Sequence, residues 1–138
     1  MTTEALQTTL AAEHAAVWLY GLLGGRTSAS GEPELHAALT SAYVAHRARR
    51  DTLTGLLLDD GADPVAAAAS YTAPVPLESA DDVRVAAADA ETAAAATYAF
   101  LVASTEDERR RTAIGALRDA AVRALGFGSA PSDLPGTD

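Results

Sequence analysis

The amino-acid sequence predicts an all-α protein whose four helices form two hairpins. Roughly a quarter of the chain is alanine, the strongest helix former, and apolar residues recur at alternating steps of four and three. The phrase Glu-x-Ala-Ala-x-x-x-Tyr occurs twice, from Glu13 to Tyr20 and from Glu91 to Tyr98. Because each half of the chain holds one copy, we expect a duplicated helical hairpin.

The first hairpin is predicted to contain helix 1 over Thr3–Gly24 and helix 2 over Pro33–Asp60, each followed by glycine. The apolar stripe of helix 1 consists of Leu6, Leu10, Glu13, Val17 and Tyr20, and that of helix 2 of Leu35, Leu39, Ala42, His46, Arg49, Leu53 and Leu56. Ionisable groups therefore enter the core-facing side of both helices.

A long connection, residues 61–78, separates the two hairpins. Its Ala66–Ala69 run predicts a short helical turn, and the prolines in the following YTAPVP segment predict extended backbone. A connection of this length between helices favours a crossover along the fold over a tight turn.

The second hairpin is predicted to begin at Ser79, a helix cap, and to turn at Thr105–Glu108, a capping-box pattern that opens helix 4. The stripe of helix 3 consists of Ala87, Glu91, Ala94, Tyr98 and Leu101, and that of helix 4 of Arg110, Ile114, Leu117, Ala121 and Leu125. We expect one domain over residues 1–126 and a tail over 127–138 that lies against it through Phe127 and Leu134.

Charge and composition exclude several classes of function. The formal net charge of −9 disfavours nucleic acid and anionic membranes as partners, and the absence of cysteine excludes thiol chemistry. No apolar run reaches membrane length, so a cytoplasmic protein is expected. Because an alanine-rich core buries little area per residue, we also expect a homodimer.

Glu13 and Glu91 fall on apolar stripes, where a carboxylate must be paired, protonated or bound to metal. Two hairpins joined by a long crossover form the ferritin-like plan, whose di-metal members take one Glu from each of two helices and Glu-x-x-His from the other two. Here helix 2 has Tyr43 three residues before His46, and helix 4 has no histidine. Glu13, His46 and Glu91 are then the only candidate ligands, and we expect no metal or other cofactor.

Arginines could neutralise the two glutamates instead. Arg49 and Arg110 occupy stripe positions, and the segment from Arg49 to Leu56 resembles that from Arg110 to Leu117. The hypothesis is a buried arginine–glutamate network. A one-residue error in helical phase would put Arg50 and Arg111 inside, and in the alternative all these arginines reach solvent. Tyr20 and Tyr98 could hydrogen-bond to the network, but packing is favoured for them.

Five segments resemble, in order, an alanine-rich ferritin-like family of uncharacterised actinobacterial proteins, a domain of unknown function. They are residues 12–21 (AEHAAVWLYG), 42–51 (AYVAHRARRD), 71–76 (YTAPVP), Glu91–Tyr98 and 120–124 (AAVRA). The resemblance covers nearly the whole chain. It implies a ferritin-like four-helix bundle and no established activity, substrate or cofactor.

Three functions are compatible with these features. The favoured one is a non-catalytic helical bundle that acts through oligomerisation or a protein partner. The second is a redox or iron-handling protein with a reduced site at Glu13, His46 and Glu91. The third is a binder of a small molecule in a cleft between helices lined by Tyr20, Tyr43 and Tyr98.

Overall fold

The computed structural model describes residues 2–137 and confirms the all-α prediction. It contains four helices, α1 (Thr2–Gly25), α2 (Pro33–Asp59), α3 (Ala80–Ser104) and α4 (Asp107–Gly126), and these residues form no strand. Within the same range, no helix is both long and apolar enough to cross a bilayer. The sequence-based boundaries of α1 and α2 agree with the structure within one residue at each end.

Contacts at the helix ends fix the directions of the four helices. The Thr2 hydroxyl donates to the Ser104 carbonyl at 3.1 Å, so the start of α1 lies beside the end of α3 and these two helices are antiparallel. The Arg109 guanidinium donates to both Asp60 oxygens at 2.6 and 2.9 Å, which joins the start of α4 to the end of α2. Short connections reverse the chain within each hairpin, so α2 and α3 run parallel.

The connection between α2 and α3 crosses the length of the fold along α1. Gln7 Nε2 donates to the Asp63 carbonyl at 2.7 Å, and His14 Nε2 lies 2.9 Å from the Val65 carbonyl. The connection therefore lies along α1, but the predicted helical turn at Ala66–Ala69 is wrong because these residues are irregular and exposed. Four alanines without a buried face cannot offset the cost of nucleating a helix.

The two predicted caps of the second hairpin have opposite outcomes. Ser79 caps α3 as expected: its hydroxyl accepts from the Asp82 amide, and the Asp82 carboxylate accepts from the Ser79 amide. The Thr105–Glu108 capping box is wrong, because the Thr105 hydroxyl donates back to the Leu101 carbonyl at 2.7 Å. That bond ties Thr105 to the end of α3.

The predicted stripe of α4 is wrong by one residue. The buried side chains of this helix are Ala113, Ala116, Ala120 and Ala124. Ile114 and Leu125 are 37% and 47% exposed. Small side chains let α4 approach α3 closely, so the alanines face the core and the larger apolar residues face outward.

Two apolar clusters fill the core and leave a polar layer between them. One contains Tyr20, Leu23, Leu35, Leu39, Val83 and Phe127, and the other contains Leu6, Leu10, Leu53, Leu57, Tyr98 and Leu101. The polar layer contains Glu13, His46 and Glu91, all buried. The fold thus places three ionisable side chains at its centre.

The C-terminal tail lies against the helices through a glycine. Phe127 is buried as expected, whereas Leu134 is 67% exposed. Gly136 has φ +85°, and a Cβ there would clash with the Ala95 carbonyl oxygen of α3.

We expect Gly136→Ala to release the tail from α3, because a methyl group cannot fit against that carbonyl. Gly128→Ala is the matched control, since Gly128 also has positive φ, +107°, but faces open space. Both variants place alanine in a left-handed conformation, which costs about 1 kcal/mol. Gly136→Ala adds the steric clash with α3, so urea unfolding should show a larger loss of stability for this variant. Limited proteolysis should cleave the tail faster in that variant alone. Equal behaviour of the two variants would contradict the close contact.

Candidate functional site

His46 of α2 bridges the two glutamates of the repeated phrase. Its Nδ1 lies 2.5 Å from Oε2 of Glu13 on α1, and its Nε2 lies 2.9 Å from Oε1 of Glu91 on α3. None of the three residues is more than 2% exposed. Because a carboxylate only accepts hydrogen bonds, both ring nitrogens must donate, and His46 is therefore a charged imidazolium.

The two repeated tyrosines complete the network in a crossed manner. The Tyr98 hydroxyl donates to Oε1 of Glu13 at 2.5 Å, and the Tyr20 hydroxyl donates to Oε1 of Glu91 at 2.6 Å. Since α1 and α3 are antiparallel, the tyrosine of each phrase reaches the glutamate of the other. The sequence favoured packing over hydrogen bonding for these tyrosines, whereas in the structure both hydroxyls bond to the glutamates. The rings pack as well, and Tyr20 stacks on the His46 ring with centroids 5.2 Å apart.

Arg123 of α4 supplies a second positive charge. Its Nε donates to Oε1 of Glu91 at 3.2 Å. Glu91 therefore receives three hydrogen bonds on one oxygen, while Oε2 is buried without a partner among the described residues. Two carboxylates now face one imidazolium and one guanidinium, so the charges of the cluster balance.

Arg123 was absent from the sequence-based candidates, although the repeat contains a signal for it. Glu91 follows Glu13 by 78 positions, and Arg123 follows His46 by 77. Each hairpin thus contributes a glutamate, a tyrosine and a cation at nearly equivalent positions. The even helices share no motif at these positions, so only the repeat spacing could have identified the pair.

Arg49 and Arg50 contact neither glutamate. Arg49 pairs with Asp119 at 2.5 Å, and its guanidinium lies 5.5 Å from the centre of the Tyr98 ring. Arg50 pairs with Asp51, its neighbour in sequence, at 2.8 Å. Arg49 reaches the network through the ring and the hydroxyl of Tyr98.

Arg110 also lies outside the network. Its Nε donates to the carbonyls of Thr105 and Val102, at 2.6 and 3.2 Å, and the side chain is exposed at the start of α4. The hypothesis of a network through Arg49 and Arg110 is therefore wrong. The physical reason for Arg110 is the one-residue shift in the buried face of α4, which turns this position toward solvent and Arg123 toward Glu91.

Opposite charges shift the pKa values of the buried groups. Burial lowers the pKa of His46, but the hydrogen bonds and negative charges of Glu13 and Glu91 outweigh burial and raise it to about 9. Burial raises the pKa of Glu91, but the hydrogen bond and charge of His46 outweigh it, with help from Tyr20 and Arg123, and the pKa lies below its usual value. His46 and Glu91 are thus both ionised at neutral pH.

The same environment keeps the tyrosines protonated. Burial, followed by the nearby carboxylates, raises the pKa of Tyr20 and of Tyr98 far above the usual range. Both hydroxyls therefore act as permanent hydrogen-bond donors to the glutamates. Neither phenol can serve as a base or nucleophile near neutral pH.

The donor set does not fit a metal ion. A histidine ligand needs a free nitrogen lone pair, but both nitrogens of His46 donate to carboxylates, and Arg123 places a further positive charge against Glu91. Within residues 2–137, no group of three or more His, Cys, Asp or Glu side chains is arranged to share an ion. The reduced site at Glu13, His46 and Glu91 is arranged as an ion-pair cluster.

A cavity of about 650 Å³ adjoins the cluster. It lies between α1, α3 and residues 71–74 of the crossover, and Glu13, His46 and Tyr98 form part of its wall. Most of the remaining wall is alanine from the two helices, together with Trp18, Leu19 and Tyr71. Of the tyrosines expected to line a cleft, Tyr98 does so, whereas Tyr20 and Tyr43 do not.

We expect Tyr20→Phe and Tyr98→Phe each to lower the free energy of unfolding by about 2 kcal/mol, because each removes a donor to a buried charged carboxylate. Tyr43→Phe is the control, since the Tyr43 side chain is half-buried against the first apolar cluster and its hydroxyl forms no hydrogen bond with a described residue. Urea unfolding at neutral pH measures all three. A loss for Tyr20→Phe and Tyr98→Phe no greater than for Tyr43→Phe would contradict the hydrogen bonds.

Fold and site together define an all-α protein of four helices with a buried, charge-balanced cluster beside an apolar cavity. The chain belongs to the family described as Domain of unknown function (DUF4439), whose model matches residues 5–138. It is similar to the crystal structure of a conserved hypothetical protein from Mycobacterium tuberculosis, at 30% identity and a TM-score of 0.83, over 91% of this chain and 93% of that one. No curated protein matches it. Neither description names an activity, and the function is unknown.

Proposed function

We propose that this protein is a non-enzymatic, ferritin-like helical bundle that binds an elongated, largely apolar small molecule. The observation that carries the proposal is the cavity of about 650 Å³ between α1, α3 and the crossover, a volume typical of ligand sites. Its wall combines many small apolar side chains with a few polar groups from the buried cluster. Such a wall favours apolar contact along most of the ligand.

The ferritin-like assignment is supported by the helix directions and the crossover. The first and third helices are antiparallel, the second and third are parallel, and a connection of some twenty residues joins them. The paired glutamates lie at the centre, where di-metal members of that plan hold their ions. Here an imidazolium and a guanidinium, in place of metal ions, neutralise the carboxylates.

The absence of catalysis is inferred from how the ionisable groups are engaged. His46 has no free nitrogen to accept a proton, and the tyrosine hydroxyls are held as donors. A general base or a nucleophile needs a lone pair directed at the substrate. The cluster therefore gives the cavity a fixed polar wall.

Binding can be measured with N-phenyl-1-naphthylamine, a neutral apolar fluorophore, because Trp18 is the only tryptophan and lines the cavity. We expect saturable binding at one probe per chain, with energy transfer from Trp18 to the probe. Ala93→Trp should abolish binding, since Ala93 lines the cavity. Ala96→Trp is the control, because Ala96 is also exposed on the same helix but does not line the cavity. Equal binding by both variants, or none by the native chain, would refute the proposal.

Two other expectations from the sequence, the lack of a bound metal and the homodimer, stay predictions. Elemental analysis of protein purified without a metal-affinity tag should find no stoichiometric iron or manganese, and finding either would favour the iron-handling alternative. The molar mass in solution tests the homodimer.

A further inference from the structure

We propose that the ligand is a cationic amphiphile, such as a long-chain amine or alkylammonium, whose positive charge lies at Asp89. This inference rests on the proposed function and adds the chemical class of the ligand. Its starting point is the charge of the cavity wall.

The cavity wall contains one uncompensated charge. Its acidic and basic side chains are Glu13, His46 and Asp89, and none of the described residues that line it is arginine. Glu13 and His46 neutralise each other through the cluster. Asp89 is exposed and forms no ion pair with a described residue. An anionic head group would meet only this carboxylate, whereas a cation would gain its attraction.

The position of Asp89 leaves room for an apolar chain. The α3 side of the cavity extends from Ala86 to Tyr98, which corresponds to about 18 Å of helix, and Asp89 lies near the Ala86 end. Beyond Asp89, the α3 wall continues through Ala90, Ala93 and Ala94. A charge at one end and an alanine wall along the rest match an amphiphile with a single long chain.

An aromatic pair lies close to the same end. Tyr20 contacts Glu91 across the antiparallel α1–α3 pair, so Trp18 and Asp89 lie within about one helical turn of each other along the axis. Trp18 packs against Tyr71 of the crossover with ring centroids 5.5 Å apart, and both line the cavity. Aromatic faces attract cations, quaternary ammonium groups in particular, so the aromatic pair and the carboxylate favour the same head group.

The test compares three dodecyl compounds with different head groups, each below its micelle concentration. Dodecyltrimethylammonium, dodecanol and dodecanoate compete with N-phenyl-1-naphthylamine for the native chain. We expect the cation to bind roughly tenfold more tightly than dodecanoate, with dodecanol between them. Asp89→Asn should remove most of this preference and leave dodecanol binding unchanged. Asp133→Asn, which removes an equal charge from the exposed tail, should preserve it.

The outcomes separate this inference from the function on which it rests. If the fluorophore binds and dodecanoate competes as well as the cation, the cavity binds small molecules but the charge assignment is wrong. If the cation binds equally well to Ala93→Trp, its attraction is to the acidic surface at large, and the inference is again wrong. If neither the fluorophore nor any dodecyl compound binds, the proposed function itself fails.

Discussion

His46→Ala should lower the free energy of unfolding by about 5 kcal/mol, the largest effect expected of any single substitution in this chain. His46 is 1% exposed and donates to both central carboxylates, at 2.5 and 2.9 Å. Its removal leaves Glu13 without a cation and Glu91 with Arg123 alone, and it opens a cavity between the two apolar clusters. Because the total stability of a domain is of similar size, the variant should be largely unfolded at room temperature.

The control for His46→Ala is His36→Ala. His36 is half-buried near the start of α2, away from the carboxylates, so its loss should change stability by no more than about 0.5 kcal/mol. Urea unfolding followed by circular dichroism measures both variants. A loss below about 1.5 kcal/mol for His46→Ala would show that the histidine does not neutralise the cluster.

Replacing the whole cluster separates charge from packing. In the variant that combines Glu13→Leu, His46→Leu and Glu91→Leu with Tyr20→Phe, Tyr98→Phe and Arg123→Leu, no charge or hydroxyl of the cluster is left without a partner, so much of the stability lost in His46→Ala should return. A combined variant no more stable than His46→Ala would mean that the shape of these side chains, and not their charge, holds the core together.

The odd helices could be predicted from the sequence because their signal is local. Glu13 and Glu91 sit in an identical phrase, and the four- and three-residue steps place both on the buried face of a helix. The same phrase contains Tyr20 and Tyr98, but the crossed pairing depends on α1 and α3 being antiparallel. The antiparallel direction of α1 and α3 follows from the crossover between α2 and α3. The length of the connection over residues 61–78 predicts that crossover.

The buried face of α4 is harder to predict than that of α2, because most leucines of α2 are buried whereas α4 buries only alanines. On α4, Ile114 and Leu125 are the larger apolar residues, yet the buried face is formed by alanines that pack closely on α3. A stripe chosen by size therefore selected Arg110 and missed Arg123. The similarity between the segments that begin at Arg49 and Arg110 also favours Arg110. It implies a repeat spacing of 61 residues, whereas the two glutamates are 78 residues apart.

Stability should fall as the pH rises from neutral to alkaline, because His46 must stay protonated for the cluster to form. The pKa of His46 is raised to about 9 in the folded protein from 6.5 in the unfolded chain. A raised pKa contributes stability that is fully present below pH 6.5 and is lost as the pH passes through 9. The free energy of unfolding should therefore drop by about 3 kcal/mol between pH 6.5 and 9.5.

Acidification also lowers the stability of the fold, through protonation of Glu91. Its folded pKa lies below the unfolded value of 4.5, so its contribution is present above pH 4.5 and is lost on acidification. The cluster then stabilises the fold most strongly between about pH 4.5 and 6.5. Tyr20 and Tyr98 add to the alkaline loss only near and above pH 10, where the phenols of the unfolded chain ionise while burial keeps those of the folded protein protonated.

Urea unfolding across this pH range, together with NMR titration of the imidazole groups, tests the assignment. His46→Gln keeps a side chain able to hydrogen-bond but removes the titration, so the fall in stability between pH 6.5 and 9.5 should disappear in that variant. NMR of the native chain tests the same point if His46→Gln does not fold. The folded protein should show one imidazole that remains protonated to about pH 9. If all three histidines of the native chain lose their protons below pH 7.5, the two carboxylates do not hold His46 as an imidazolium, and the charge balance inferred for the cluster is wrong.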